Sequence, residues 1–244
     1  MNSKRAIIMG ATSGIGRCVA LGLLRQGWTI GVAGRRTEAL ESLKAVDPEH
    51  VFTRTIDVTC PDAPKHLRAL IDEMGGMDLY FHSSGCGHQN TELEPAIEDR
   101  TLMTNAFGFT QMVGEAFRYF RDTHCPGRIA VITSIAGTKG LGAAPAYSAT
   151  KRFQWTYIDA LAQLARMEEL DIRFTDIRPG FVRTALIADK DYPLQMAPAS
   201  VAGHIISALE KGRRVTTIDW RYRLLCFFWR LVPRCLWERM HIIR

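Results

Sequence analysis

Two features of the sequence predict an α/β fold with a doubly wound parallel sheet. Short apolar runs alternate with amphipathic helical patterns from residue 5 to residue 218, and glycine or polar residues follow most of these runs. The length of 244 residues and the 47% hydrophobic content suit one large domain. We therefore expect a single domain over 1–219, followed by a basic and aromatic C-terminal tail over 220–244.

The first apolar run, residues 5–9, is predicted to be a buried strand that leads directly into a glycine-rich turn and a helix. In this context glycines let the backbone approach a pyrophosphate, and the helix N-terminus offers free N–H groups. The spacing is Gly-x-x-x-Gly-x-Gly rather than Gly-x-Gly-x-x-Gly. The turn predicts a Rossmann-like dinucleotide site, with an ordinary strand-to-helix turn as the alternative. The candidate cofactor contacts are Gly10, Thr12, Ser13, Gly14, Ile15 and Gly16.

The second predicted strand, residues 28–33, ends in Gly34, Arg35 and Arg36. An acidic residue near this point would accept a hydrogen bond from a ribose 2′-hydroxyl, whereas arginine accommodates a 2′-phosphate. The arginines therefore favour NADP(H) over NAD(H). The alternative is that one of them, most simply Arg36, faces solvent.

The remaining elements continue the alternation. Helices are predicted over 37–46, 61–74, 100–122, 147–169 and 200–211, and strands over 51–56, 78–85, 128–133, 171–177 and 215–218. In such sheets ligands bind outside the carboxyl ends of the strands. Gly10, Arg35, Asp57, Ser83 and Ser134 all fall at such ends, which predicts one shared site.

Tyr147 and Lys151 lie four residues apart on a predicted helix, so both side chains address one small volume. A nearby cation is expected to lower the pKa of the phenol, and such a pair can exchange a proton with a substrate oxygen. Ser134 ends the strand before this helix and could hydrogen-bond the same oxygen. By itself the Tyr-x-x-x-Lys spacing is also compatible with an exposed helix face.

Together these motifs resemble the short-chain dehydrogenase/reductase family over about residues 4–220. The resemblance implies reduction of a carbonyl by NADPH, with Tyr147 as proton donor, Ser134 polarising the carbonyl, Lys151 lowering the tyrosine pKa and binding the ribose, and Asn105 holding a water. It implies a catalytic group of Asn105, Ser134, Tyr147 and Lys151, and further cofactor contacts from Asp57, Val58, Ser84, Gly85, Asn105, Tyr147, Lys151, Pro179, Gly180, Val182 and Thr184.

The sequence departs from the family pattern at two places. Met9 replaces the usual threonine before the first glycine, and the residues from His82 to Gly85 replace the usual Asn-Asn-Ala-Gly. We expect the second change to affect cofactor affinity more than chemistry. His82 is expected to be a buried, hydrogen-bonded residue, and Cys86 a small packing residue, with a redox role as the alternative.

Charge is concentrated near the C-terminus. The formal net charge is +6, yet residues 211–244 hold nine Lys/Arg and two acids, so they carry +7 and the first 210 residues carry −1. The body therefore predicts no nucleic-acid binding. The six cysteines show no metal-ligand spacing, and we expect neither zinc nor disulfides in a cytoplasmic protein.

No apolar run reaches the ~20 residues that span a bilayer. The C-terminal tail does combine aromatic residues with arginines, as interfacial helices do, and Pro233 interrupts it. We predict peripheral membrane attachment through this tail, with packing on the domain or on a partner subunit as the alternative.

The loop over 185–197 is apolar and is predicted to cover the substrate. These features favour an NADP(H)-dependent reductase of a lipid-like ketone, such as a 3-ketosphinganine or another 3-oxoacyl-type ketone. The alternatives are a soluble carbonyl reductase for a sugar, steroid or carrier-bound acyl chain, and a non-catalytic NADP-binding sensor. The resemblance also implies a homodimer or homotetramer, paired through helices 101–122 and 146–169. The candidate interface residues are Phe117, Phe153 and Trp155, with core packing as the alternative.

Overall fold

A computed structural model describes residues 4–184, 192 and 194–240. Within them, seven strands form one parallel sheet with the order β3-β2-β1-β4-β5-β6-β7. The strands are β1 (Arg5–Met9), β2 (Thr29–Gly34), β3 (Val51–Thr55), β4 (Leu79–His82), β5 (Gly127–Ile132), β6 (Ile172–Arg178) and β7 (Val215–Thr217). The helices are α1 (Gly14–Arg25), α2 (Thr37–Lys44), α3 (Ala63–Glu73), α4 (Pro95–Leu102), α5 (Phe109–Thr123), α6 (Pro145–Met167), α7 (Pro198–Glu210), α8 (Trp220–Leu231) and α9 (Arg234–Trp237). The predicted doubly wound α/β architecture is confirmed.

The sheet buries both of its faces. Ile7 and Met9 of β1 pack into the hydrophobic cluster beneath α3, α5 and α6, whereas Ala6 and Ile8 pack into the cluster beneath α1 and α7. Successive residues of a strand point to opposite faces, so a strand covered on both sides needs a continuous apolar run. This explains why the central strands β1 and β4 read as nearly unbroken hydrophobic segments, whereas β3 at the edge of the sheet is partly exposed and contains polar residues.

The direction of winding reverses at β1. Strand β1 lies between β2 and β4, so the chain leaves β1 toward one edge of the sheet and later returns to build the other half. The loops that follow β1 and β4 therefore separate, and a crevice opens at their carboxyl ends. Both the glycine-rich turn and the loop after His82 lie at this crevice.

The long helix predicted over 100–122 is wrong in one respect. The helical segment begins at Pro95 and contains a π-helical turn, Met103–Gly108, between α4 and α5. A Cβ on Gly108 would lie 2.7 Å from the carbonyl oxygen of Val58, so only glycine allows this close approach to the loop after β3. π-Turns of this kind are frequent at functional sites, and this one contains Asn105. The strand predicted over 78–85 ends three residues early, at His82. The other predicted strand and helix boundaries differ from the structure by one or two residues, as α6 shows by starting at Pro145.

Two of the three candidate interface residues belong to the core. Phe117 and Trp155 are 3% and 5% exposed within the single chain, so the core-packing alternative holds for both. Phe153 is 41% exposed and stacks on Tyr157. Helix α6 is covered on the Trp155 side by β6, which is why apolar residues two positions apart in sequence have different environments.

The C-terminal tail forms α8 and α9. Tyr222 and Cys226 face inward and pack with Ile135, while the other side of α8 stays exposed. Throughout the part of the chain that the structure describes, no helix is both long and apolar enough to cross a bilayer.

Candidate active site

Tyr147, Lys151 and Ser134 meet at the carboxyl ends of β4 and β5, as predicted. The Lys151 ammonium lies 5.8 Å from the centre of the Tyr147 ring. It is held there by the carbonyl oxygen of Ile132 at 3.1 Å and by Gln154 Oε1 at 3.0 Å. Ser134 accepts a hydrogen bond from the amide of Ala136 at 3.1 Å, which fixes its hydroxyl at the start of the 3₁₀ turn Ile135–Thr138. The three groups therefore address one volume above the sheet edge.

The expected lowering of the tyrosine pKa by Lys151 is wrong for this structure. Burial raises the pKa of Tyr147, a hydrogen bond with Ser134 works in the opposite direction, and Cys86 adds to the increase. Burial also lowers the pKa of Lys151 from 10.5 to about 8, although Cys86 and Asp176 favour its charged form. Desolvation dominates both shifts because both groups sit at a largely covered sheet edge.

Asn105 is fully buried and clamps the loop after β4. Its side-chain amide donates to the carbonyl of Cys86 at 2.7 Å and accepts from the amide of Cys86 at 3.0 Å. It also donates to the hydroxyl of Thr150 at 3.2 Å. The predicted water-binding role of Asn105 stays a prediction, and the observed role is to tie the π-turn to this loop and to α6.

Gln154 belongs to the site and was not identified from the sequence. It is fully buried, accepts from Lys151 through Oε1, and donates from Nε2 to the carbonyl of Asn105 at 2.9 Å. It therefore joins two members of the predicted catalytic group. The available signal was its position three residues after Lys151 on a helix, where an amide would face the same side as the ammonium.

The glycine-rich turn packs closely against the loops that follow β4 and β6. Gly10 has φ of +89°, and a Cβ there would lie 2.6 Å from the amide nitrogen of Ser84. A Cβ on Gly14 would lie 3.1 Å from the Thr184 side chain, so the predicted contacts before α1 and after β6 are adjacent. Compact backbone with free N–H groups at a helix start fits the pyrophosphate of a dinucleotide. The turn comprises Gly10, Thr12, Ser13, Gly14, Ile15 and Gly16.

Arg35 and Arg36 are both exposed, at the end of β2. Arg36 does not simply face solvent, because its guanidinium donates to Thr12 Oγ1 at 2.8 Å. Burial opposes the lowering of the Asp57 pKa, but the Thr59 amide and hydroxyl donate to this carboxylate and the nearby Arg35 adds a smaller contribution, so that the pKa is lowered. The two cations therefore flank the adenine end of the predicted cofactor site.

The other predicted cofactor contacts line the same crevice. A Cβ on Gly85 would lie 3.3 Å from Asn105 Oδ1 and 3.6 Å from Lys151 Nζ. Val58 is buried, and its carbonyl accepts a hydrogen bond from Gln111. Three further predicted contacts follow β6. The carbonyl of Pro179 accepts a hydrogen bond from the Ile135 amide, and Gly180 lies against the Tyr222 ring. Val182 forms a β-bridge with Met196.

His82 is buried, as predicted, but only one ring nitrogen has a clear partner. Nδ1 lies 2.9 Å from the Tyr80 hydroxyl, and Nε2 has no hydrogen bond within the described chain. Burial lowers the pKa of His82 to about 3, and the nearby Lys151 contributes to this decrease. The imidazole is therefore neutral at physiological pH and acts as a structural residue at the end of β4. Cys86 is partly exposed, and its thiol contacts the carbonyl of Arg100 at 3.5 Å.

An aromatic cluster joins α8 to the loops that follow β4 and β6. Phe181 and Tyr192 stack with ring centres 4.2 Å apart, and Gln89 donates to the Tyr192 hydroxyl at 3.2 Å. Tyr222 of α8 accepts from the amide of Phe181 and donates to the carbonyl of Leu194 at 3.1 Å. Residues 185–191 and 193 of the predicted substrate loop lie outside the described residues.

Gly87 lies against the ring of Tyr147. A Cβ at Gly87 would overlap the ring of Tyr147, so the loop after β4 can lie flat on that ring only with glycine at this position. No local pattern predicts this contact or the position of Tyr222, because both join segments that are far apart in the chain.

Comparisons with known proteins agree with this geometry. The family model for short chain dehydrogenases matches residues 4–193. An uncharacterized oxidoreductase of Myxococcus xanthus is 32% identical over 205 residues, covering 80% of this chain and 78% of that protein. A farnesol dehydrogenase of Aedes aegypti is 26% identical, covering 76% and 80%.

Solved structures share the fold. ElxO with NADP bound superposes with a TM-score of 0.79 at 20% identity, covering 91% of this chain and 99% of that one. An actinorhodin polyketide ketoreductase with NADPH gives a TM-score of 0.77 at 23% identity, covering 88% and 95%. The matched family model and the Myxococcus relative establish that the chain belongs to the short chain dehydrogenase family of oxidoreductases.

Proposed function

We propose that the protein is an NADP(H)-dependent reductase that converts a ketone to a secondary alcohol. The observation that carries the proposal is the convergence of the Tyr147 phenol, the Ser134 hydroxyl and the Lys151 ammonium beside a glycine-rich turn. The nicotinamide cofactor, when bound, supplies the hydride. The exposed Arg35 and Arg36 at the end of β2 support the phosphorylated form of that cofactor.

The residues of the chain would then act on the carbonyl oxygen. Ser134 donates a hydrogen bond to this oxygen and polarises the carbonyl, and Tyr147 transfers its phenolic proton as negative charge develops there. Lys151 holds the ribose end of the cofactor and maintains a positive potential beneath the phenol. Gln154 and the Ile132 carbonyl keep the ammonium in place throughout.

The raised pKa of Tyr147 fits the role of a proton donor. A proton donor must carry its proton before the reaction, and burial keeps this phenol protonated at neutral pH. We therefore infer that Tyr147 enters the reaction in its protonated form.

The substrate is proposed to be lipid-like. The stacked rings of Phe181 and Tyr192 lie beside the loop that follows β4, and the residues of the predicted substrate loop are mainly apolar. The relative named farnesol dehydrogenase also supports an apolar substrate. The second candidate, a carrier-bound acyl ketone, is supported by the structural likeness to a polyketide ketoreductase.

A substrate panel tests the reaction. Oxidation of NADPH would be followed by absorbance with long-chain 3-ketones in detergent, 3-oxoacyl thioesters, steroids and sugars, using Tyr147→Phe as the control for background. We expect the highest kcat/KM with long-chain 3-ketones. A preference for thioesters would replace the lipid assignment, and NADPH oxidation equal to that of Tyr147→Phe with every ketone would contradict the reductase proposal.

Peripheral membrane attachment is proposed through α8. Its exposed side carries an apolar stripe in which Phe227, Phe228 and Leu231 are 56%, 59% and 62% exposed. The stripe also includes Trp220 and Leu224, at the spacing of one helix face. Arg223 and Arg230 flank it, so rings and cations are arranged as an interfacial helix requires. The opposite side of the same helix holds the substrate loop through Tyr222, which would bring the site close to the bilayer surface.

Point substitutions test this attachment more cleanly than removal of the tail, because removal would also uncover Gly180. The paired change Phe227→Ser and Phe228→Ser should reduce co-sedimentation with phosphatidylserine vesicles at least tenfold. The control is Met167→Ser with Val46→Ser, which removes two apolar residues that are 73% and 57% exposed on other parts of the surface. If the wild-type protein does not co-sediment with these vesicles at low salt, the membrane proposal is wrong and the soluble carbonyl reductase replaces it.

Self-association is proposed as well. Leu102, Met103, Phe107 and Phe153 are 48%, 43%, 44% and 41% exposed and lie on contacting elements, the α4 end, the π-turn and α6. We expect sedimentation to show a dimer or tetramer, which Phe107→Ser with Phe153→Ser dissociates. A species of only 27.4 kDa at micromolar concentration would contradict the proposal.

A further inference from the structure

A basic cavity lies between α6, the end of the 3₁₀ turn and α8. Its volume is about 400 Å³, and four of its lining side chains are cations, Lys139, Arg152, Arg178 and Arg230. Asp159 is its acidic member. Arg152 and Asp159 occupy a different face of α6 from Tyr147 and Lys151, so this cavity is separate from the catalytic crevice.

Most of its positive charge is not neutralised by the protein. Arg178 is paired with the buried Asp176 at 2.5 Å, and Asp159 is paired with Arg214 at 2.6 Å. Over residues 4–184, 192 and 194–240, no carboxylate forms an ion pair with Lys139, Arg152 or Arg230. Three cations therefore share one cavity without counter-charges.

The cavity has an ordered floor. The Trp155 indole is 5% exposed and donates from Nε1 to the Thr133 hydroxyl at 2.9 Å. The Arg178 guanidinium stacks on this indole at 3.6 Å, and that of Arg152 lies 5.4 Å from the ring centre. Guanidinium groups held against an aromatic face lose less conformational freedom when they bind a ligand.

Lys139 closes the other side. Its ammonium donates to the carbonyl of Val232 at 3.0 Å and lies 5.7 Å from the centre of the Trp237 ring. An ammonium has three donors, so two remain for a ligand. This contact also places the cavity against the segment that joins α8 to α9.

We propose that this cavity binds a phosphate monoester. A phosphate presents three acceptor oxygens and nearly two negative charges. These match three uncompensated cations, of which the two arginines can donate in bidentate fashion. The volume exceeds that of the phosphate itself and leaves room for the group esterified to it. The phosphate can come from a soluble metabolite or from a lipid headgroup, since Arg230 directly precedes Leu231 of the apolar stripe on α8. The site does not depend on the proposed ketone reduction.

The test uses the full-length protein saturated with NADP⁺, so that phosphate cannot enter the cofactor site unnoticed. Glycerol 3-phosphate is titrated by calorimetry, and co-sedimentation is measured with vesicles of phosphatidic acid and of phosphatidylcholine. The site variant is Arg152→Gln with Arg230→Gln. The control is Arg25→Gln with Arg166→Gln, which removes one exposed arginine from α1 and one from α6.

We expect the site variant to raise the Kd for the probe that wild type binds at least tenfold. The control variant should change the same Kd less than twofold. Loss of glycerol 3-phosphate binding identifies a soluble ester, whereas loss confined to phosphatidic acid vesicles identifies a headgroup. Lys139→Gln should weaken the same ligand, which guards against a folding defect in the double variant. The proposal is overturned if wild type binds neither probe, or if site and control variants bind equally.

Discussion

Aromatic and cationic side chains occur both at the sheet edge that carries Tyr147 and Lys151 and in the C-terminal tail. Those at the sheet edge are largely covered by the protein, whereas many of those in the tail are exposed. At the edge, Lys151 is 4% exposed and is anchored by a backbone carbonyl and a buried amide. In α8, Phe228 is 59% exposed, and Arg223 is also exposed. A cation anchored inside the fold has a fixed position, which suits the role that we propose for Lys151 in binding a small molecule. Rings and cations left on the outside are available to another surface.

The same difference appears in the energetics. Removal of water is the largest cause of the pKa shifts of Tyr147 and Lys151. The packing of α8 on the domain depends mainly on the contacts of Tyr222 and Cys226. Changes at the edge should therefore affect turnover and pH dependence, and changes on the outer side of α8 should leave both unaltered.

The largest effect is expected for Tyr147→Phe. The substitution removes the phenolic proton but keeps the ring against Gly87, so kcat should fall by about 10²- to 10⁴-fold. NADPH affinity, measured by fluorescence titration, should change little. Phe227→Ser is the matched control in the tail and should keep wild-type kcat with a soluble substrate. Turnover above about a tenth of the wild-type value in Tyr147→Phe would refute the proton-transfer role.

Lys151 should give the next largest effect, on stability in the cofactor-free protein. Because the folded pKa is about 8 and the usual value is 10.5, the unfolded chain binds more protons between these values. The cost of burying the charged form is therefore fully present below pH 8 and is relieved as pH rises toward 10.5. At ~1.4 kcal/mol per pKa unit, the whole difference corresponds to roughly 3 kcal/mol.

Urea unfolding of wild type and Lys151→Met at pH 7.5 and pH 10 measures this effect. The free energy of unfolding of wild type should increase relative to the variant by about 2 kcal/mol over this range. Lys65→Met, at an exposed lysine of α3, is the control. A difference between wild type and Lys151→Met that does not change with pH would show that burial does not shift this amine.

Replacing Arg35 and Arg36, which are exposed at the end of β2, tests the preference for NADPH over NADH. Charge-assisted hydrogen bonds to a 2′-phosphate contribute about 1.5–3 kcal/mol, so replacing both arginines with glutamine should raise KM for NADPH roughly ten- to a hundredfold. KM for NADH should change less than threefold. Similar increases in KM for both cofactors would mean that these arginines do not bind the 2′-phosphate.

The smallest expected effect compares the two sides of α8. Tyr222→Phe removes the hydrogen bonds to the Phe181 amide and the Leu194 carbonyl and should lower the free energy of unfolding by about 1–2 kcal/mol. Phe228→Ser, on the exposed side, should change it by less than about 0.5 kcal/mol. If thermal and urea unfolding show the same loss of stability for Tyr222→Phe and Phe228→Ser, the outer side of α8 packs against another part of the protein.

The sequence by itself determined the sheet, the winding and the principal site residues. Strands covered on both faces require unbroken apolar runs, glycines are needed where the backbone approaches a ligand, and helical periodicity places Tyr147 beside Lys151. Each of these rules acts over a few residues, so each could be read before the fold was known.

Only the tertiary structure decided how those residues are held. The π-turn at Asn105 depends on Gly108 meeting Val58, and the clamp of Gln154 joins α6 to that turn. The pKa of Tyr147 is raised because burial outweighs the neighbouring groups, which a pairing rule based on spacing cannot predict. The basic cavity likewise exists only where α8 returns to α6. These features arise from contacts between segments distant in the chain and from removal of water, and neither is encoded in a local pattern.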